Sequence, residues 1–229
     1  MTELLGTLAV FDLETTGVEV RTARIVTAHV GVIGPDGEPL EALSWLADPG
    51  VEIPAGAAAI HGISTEYARE HGAPASQVVA EILDALRALL ARPLPLVIYN
   101  APYDLSLLRH EALRHGLEPL EQPHPVVDPL VIDRALDRYR KGKRTLEAAA
   151  AEYGVGLTGA HDAGVDAIAA GRVAQAVARR HAAALPTTLE ALHEAQIGWC
   201  QQQAESFQEY MRRAKDPEFT ADGAWPVRL

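Results

Sequence analysis

The chain has 229 residues, 48% of them hydrophobic, which is enough to bury one substantial core or two small ones. A formal net charge of -11 excludes a protein that holds nucleic acid by bulk electrostatics, so any such role must be confined to one part of the surface. The single cysteine, Cys200, excludes an internal disulfide framework and thiolate zinc sites, and is read as a packing residue. The first residues, MTELLGTLAV, lack a basic region ahead of an apolar one, and no apolar run reaches the length of a membrane span. A soluble, cytoplasmic chain with no membrane partner is expected.

Residues 4–14 and 23–34 read as strands rich in β-branched side chains, and the Pro35-Asp36-Gly37 turn leads to a third over 39–46. Together they suggest an antiparallel meander. Residues 49–57 read as a loop rich in Pro and Gly, followed by a short helix over 63–70 capped by Ser64 or Thr65. Val79, Ile82, Leu83, Leu86, Leu89 and Leu90 recur at helical spacing and predict a helix over 76–90. A short buried strand follows over 93–100, then a helix over 103–116 ended by Gly116. Helical patterns cover 126–139, 143–154 and 161–180, and a final helical region spans 187–215 after Pro186. The expected fold is α/β, a mixed central sheet with an antiparallel meander flanked by helices, over residues 1–185. Residues 186–229 form a C-terminal helical extension to which the sequence assigns no role.

The stretch FDLETTG, residues 11–17, ends an apolar strand with two acids spaced two apart. Side chains alternate along a strand, so Asp12 and Glu14 share one face while Phe11 and Leu13 share the other. Two like charges side by side are unfavourable unless a cation lies between them. Two further acidic stretches stand out. In YNAPYDLSLL, Asp104 lies near a helix start directly after a buried strand; in HDAGVDA, Asp166 sits on a helix with His161 at or just before its N-terminal end. Each acid takes a position read as buried or half-buried, where an unpaired carboxylate is costly, so gathering them requires a metal. Bland readings exist for each alone: a strand ending in solvent, a helix-start acid at Asp104, and an N-cap at Asp162, the preferred reading of that residue.

Taken in order, these motifs resemble those of the DEDDh family of 3′→5′ exonucleases, which includes the proofreading subunit of bacterial replicative DNA polymerase. The first family motif is present as Asp12-Leu13-Glu14-Thr15-Thr16-Gly17. The second is Asn100-Ala101-Pro102-Tyr103-Asp104, with Tyr in the usual Phe place, and the third runs from His161 through Ala163 to Asp166. An Ile60-His61-Gly62-Ile63 segment, usual in the bacterial branch, is also present. The resemblance covers roughly the first 180 residues. It implies an RNase H-like fold and hydrolysis of phosphodiester bonds at the 3′ end of single-stranded DNA by two Mg²⁺ or Mn²⁺ ions. Such a pair stabilises charge on the attacking and leaving oxygens from about 3.5–4 Å apart, and hard oxygen ligands without thiolate suit those metals. By the same resemblance Asp12 bridges the ions, Glu14 and Asp166 hold one of them, and Asp104 supports the other largely through water. His161 is then the general base, a role for which imidazole is suited because it ordinarily titrates near pH ~6.5.

The resemblance further implies that His61 contacts the terminal nucleotide and that Thr15 and Gly17 approach its sugar; a loop histidine and simple turn geometry are the alternatives. The densest basic stretch, which includes Arg140, Lys141 and Lys143, is either a solvated helix end or a rim that tracks phosphates. Trp199, Phe207, Tyr210 and Trp225 are spaced to cover the main domain or a partner. A DNA polymerase or repair complex is the implied partner, an RNA 3′ end is the alternative substrate, and a noncatalytic binding module is the alternative of another class.

Overall fold

In the computed structural model, which describes residues 3–229, six strands form one sheet. They are β1 (Leu8–Thr15), β2 (Ile25–Ile33), β3 (Pro39–Asp48), β4 (Ala73–Pro74), β5 (Leu96–Val97) and β6 (Val126–Val127). Their order is β4-β3-β2-β1-β5-β6. The expected antiparallel meander is β1–β2–β3, and β5 and β6 then add parallel to β1. Parallel pairing requires crossover connections, and helices supply them. α1 (Ala55–His61), α2 (Thr65–His71) and α3 (Ala75–Leu90) lie between β3 and β5, and α4 (Ala101–Arg114) between β5 and β6. After β6 come α5 (Pro129–Leu136), α6 (Leu146–Tyr153), α7 (Ala163–Arg180) and α8 (Leu189–Ala214). None of the helices is long and apolar enough to cross a membrane, among the described residues.

Alternation along β1 builds two core layers. Ala9, Phe11 and Leu13 pack with Val79, Ile82 and Leu86 of α3 and Leu105 and Leu108 of α4. Leu8 and Val10 face the other way, onto Ala167, Ala170, Val173 and Ala174 of α7. Gly171 lets α7 lie close to the sheet: a Cβ there would stand 2.5 Å from Ile33 Cδ1 and 2.8 Å from Val10 Cγ1.

Several boundaries differ from the sequence expectation. Residues Glu3–Leu5 form a 3₁₀ turn, and the first strand begins only at Leu8, although Leu4 is still buried. The loop expected over 49–57 contains the start of α1, a helix with no buried residue and therefore no apolar periodicity to read. Ser64, not Thr65, caps α2 by accepting from Tyr67 N. The helical pattern over 126–139 opens as the edge strand β6; Asp128 then accepts from Leu130 N and Val131 N, with Pro129 at the first helical position. The two strand residues run directly into the apolar pattern of the helix and so do not stand out from it.

The C-terminal extension covers that edge. β6 would expose unpaired backbone groups. From α8, His193 Nδ1 accepts from Val126 N (3.1 Å), Gln196 Oε1 accepts from Asp128 N (2.7 Å), and Gln196 Nε2 donates to Val126 O (3.0 Å). Leu189 and Leu192 join one core layer, and Cys200 and Trp225 join the other.

Candidate active site

Asp12 and Glu14 continue the face of β1 that carries Leu8 and Val10, so they point toward α7. The close seating of α7 brings Asp166, in its first turn, to meet them. Ligand atoms of Glu14, His161 and Asp166 all lie within 4.8 Å of one another. Asp162 is the helix N-cap, accepting from Gly164 N (2.9 Å) and Val165 N (3.1 Å). His161 precedes it on the surface with φ at 70°, and its backbone N–H donates to Asp166 Oδ2 (3.1 Å). A left-handed backbone in a residue other than glycine is held against a local cost, and such positions cluster at functional sites.

Asp104 reaches the same end of the sheet from the other layer. Only 3% of it is exposed, and its Oδ1 accepts from Leu13 N (3.1 Å). The Tyr that replaces the usual Phe has a definite use: Tyr103 OH donates to Gly17 O (2.6 Å) and also meets Thr15 Oγ1, which donates to the same carbonyl (2.9 Å). The first and second motifs are thereby tied together by side chains.

The electrostatics are those of crowded acids without a cation. Asp12 is pushed well above the usual carboxylate range by burial first, then by Asp104, Asp166 and Glu14. Glu14 is raised to about 7 by burial and Asp166, with His161 opposing. Burial also raises Asp104 and Asp166, against hydrogen bonds that favour their charged forms. Asp166 Oδ1 is buried with no hydrogen-bond partner among the described residues. An orphaned carboxylate oxygen beside other raised acids is the environment a divalent cation would complete.

The candidate substrate residues separate into two groups. His61 is half-buried and comes close to Thr15 and His161; its Nδ1 accepts from Ile63 N (3.2 Å) and its Nε2 is buried without a partner among the described residues. Lys141 and Lys143 are exposed. Arg140 is not free like them: its guanidinium is tied to the fully buried Asp133 (2.5 Å) and to Asp137 (3.1 Å), and Arg144 joins Asp133 at 2.6 Å. A buried carboxylate needs such counterions, and the charge pattern alone does not show where that carboxylate is.

Sequence reasoning missed Asp128. Buried completely, it accepts from Asn100 N (3.0 Å) and Ala101 N (2.9 Å), and so fixes the start of the helix that carries Asp104. Its signal was legible as Asp-Pro ahead of an apolar run, the pattern of a capped helix.

With this geometry in place, the comparison with known proteins is decisive: the profile of the family described as Exonuclease matches residues 9–174. The chain belongs to the exonuclease family. It is 30% identical over 170 residues to the PolC-type DNA polymerase III of Streptococcus thermophilus, covering 73% of this chain and 11% of that protein. It is 33% identical over 135 residues to a DNA polymerase III subunit epsilon-like protein of Rhodobacter capsulatus, covering 55% of this chain and 17% of that one. The chain thus spans between a tenth and a fifth of the length of these relatives. Among solved structures, E. coli exonuclease I in complex with a dA16 oligonucleotide shares the fold with a TM-score of 0.66 at 22% identity, over 78% of this chain and 42% of that one. The fold is therefore the RNase H-like arrangement of an exonuclease domain.

Proposed function

We propose that this exonuclease hydrolyses the terminal phosphodiester at the 3′ end of single-stranded DNA and releases nucleoside 5′-monophosphates. The observation that supports this reading is the gathering of Glu14, His161 and Asp166 within 4.8 Å of one another, with Asp12 close enough to feel the charges of Asp104, Asp166 and Glu14. The DNA polymerases and the DNA-bound exonuclease among its relatives favour DNA over RNA, and a polymerase or repair complex as partner.

The donor set fits two hard divalent cations, Mg²⁺ or Mn²⁺: carboxylate oxygens without thiolate, one of them orphaned, at mutually repelling positions. Asp12, Glu14 and Asp166 would hold one ion, and Asp12 with Asp104 the other. When bound, such a pair stabilises charge on the attacking and leaving oxygens of an in-line displacement.

The chain's own groups do the rest. His161, tied through its backbone to Asp166, receives the proton of the attacking water at a ring nitrogen. The Gly17 carbonyl, held by Thr15 and Tyr103, shapes the turn against which the terminal sugar rests. His61 offers its unpartnered Nε2 to the terminal nucleotide. Lys141 and Lys143 meet phosphates, on a loop that Arg140 braces from within.

The test is digestion of 3′- and 5′-labelled DNA and RNA oligonucleotides by the purified chain with Mg²⁺, Mn²⁺ or EDTA. Mononucleotides should leave from the 3′ end, faster from DNA, and EDTA should stop the reaction. Hydrolysis from the 5′ end, or none with either metal, overturns the reading.

A further inference from the structure

An open groove of about 910 Å³ lies between α5, the turn from β5 to α4, and α8 with the tail that follows it. Much of it is built by residues beyond position 174, outside the family match. Five arginines line it against a single acid, Asp222, in a chain whose net charge is -11. Arg140 and Arg144 are held by Asp133, but Arg134 and Arg138 are exposed and take no part in the ion pairs found among the described residues. Arg228 adds a buried Nε with no partner among the described residues, while its backbone N–H is anchored on Ser106 Oγ (2.8 Å). A guanidinium nitrogen without an acceptor is as costly as an orphaned carboxylate, and an anionic ligand would satisfy it.

The other wall is aromatic. Phe207 is 50% exposed and Tyr210 55% exposed, and Trp199 lies about two helical turns before the first and three before the second. Arginines beside open aromatic faces match single-stranded nucleic acid, whose phosphates take the charge and whose bases stack in any sequence. The groove also has the right address. β1, β5 and β6 are parallel, so α4 and α5 both begin at the edge of the sheet where Asp12 and Glu14 end. Asn100 and Pro102 line the groove, and Asp104 follows in the same helical turn.

We propose that this groove is the track for the single strand upstream of the 3′ nucleotide, with Arg134, Arg138 and Arg228 on its phosphates and Phe207 and Tyr210 under its bases. The assignment rests on the exonuclease reading for its orientation. Its binding test stands apart from turnover.

Fluorescence anisotropy with 5′-labelled dT3 and dT12, with Ca²⁺ replacing the catalytic metal, measures the gain from length. The wild-type chain should bind dT12 at least about tenfold tighter than dT3. Arg134→Gln with Arg138→Gln should remove most of that gain and flatten the salt dependence by about 1.4, two phosphates at ~0.7 each for a single strand. Phe207→Ala with Tyr210→Ala should reduce the gain without changing the salt slope. All four side chains are exposed, and because Phe207 also packs edge-to-face on Phe219 (5.4 Å), a thermal melt of each variant accompanies the titration. A length gain that survives both pairs overturns the track and leaves the arginines to an acidic protein partner. Length-dependent binding by a chain that hydrolyses no oligonucleotide would support the groove and sink the exonuclease reading; hydrolysis with a length gain blind to both pairs would do the reverse.

Discussion

Carboxylates in two parts of this molecule are treated in opposite ways. Asp133 sits under the loop after α5, where burial alone would raise it, yet hydrogen bonds from Arg140, Arg144 and Tyr153 hold it below the usual carboxylate range. Asp12 and Glu14 lie among other acids, and burial and like charge push both up; burial, with Asp162 and Glu147, also raises Asp166 against the opposing His161. Arginines neutralise Asp133, and none is paired with Asp12, Glu14 or Asp166 in the ion pairs found among the described residues. Acids left unsatisfied at the end of a sheet mark a place where the missing charge comes from outside.

The largest effect that would break this contrast is on turnover. Asp12→Ala should lower the exonuclease rate by about 10³-fold or more, while leaving the metal-free fold at least as stable, because it removes a repelling charge; steady-state kinetics and thermal melting check both. His161→Ala should cost about 10²- to 10³-fold in rate with divalent-ion affinity largely kept. A large loss of affinity in a metal titration would instead make His161 a ligand, which its distance from Glu14 and Asp166 permits. Asp133→Ala should do the opposite of Asp12→Ala. It strands Arg140 and Arg144 and should destabilise the fold by about 3 kcal/mol, read as a lowered urea midpoint.

The smallest effect sharpens the comparison through pH. With its folded value raised to about 7, Glu14 binds its proton more tightly in the native chain than in the unfolded one. Its contribution to stability is therefore present below the ordinary carboxylate range and is lost as pH rises through about 7. In EDTA at pH 8, Glu14→Gln should melt above the wild type by ~2–4 °C, equivalent to about 1 kcal/mol after discounting for solvent screening at a half-exposed site. The gap should narrow by pH 5 and close below the ordinary carboxylate range.

How much of this was legible in the sequence follows from the range of each interaction. The alternation Phe11-Asp12-Leu13-Glu14 placed both acids on one face, and the structure puts that face against α7. The capping role of Asp162 is local, and was readable for that reason. β6 was hidden because its two residues run directly into the apolar pattern of α5, and α1 because it buries nothing. Asp133 as the partner of Arg140 and Arg144, and Gln196 as the cover of an open strand edge, are contacts between segments whose spacing encodes no pattern. The basic stretch therefore reads as one feature in the sequence and divides into braces and exposed lysines in three dimensions.

The most direct measurement is a Mn²⁺ titration followed by electron paramagnetic resonance, comparing the wild-type chain with Asp12→Ala in the presence of a nucleoside 5′-monophosphate. The account predicts saturable binding of two ions by the wild type and loss of that binding in the variant. Absence of saturable Mn²⁺ binding, or equal binding by both proteins, would contradict it.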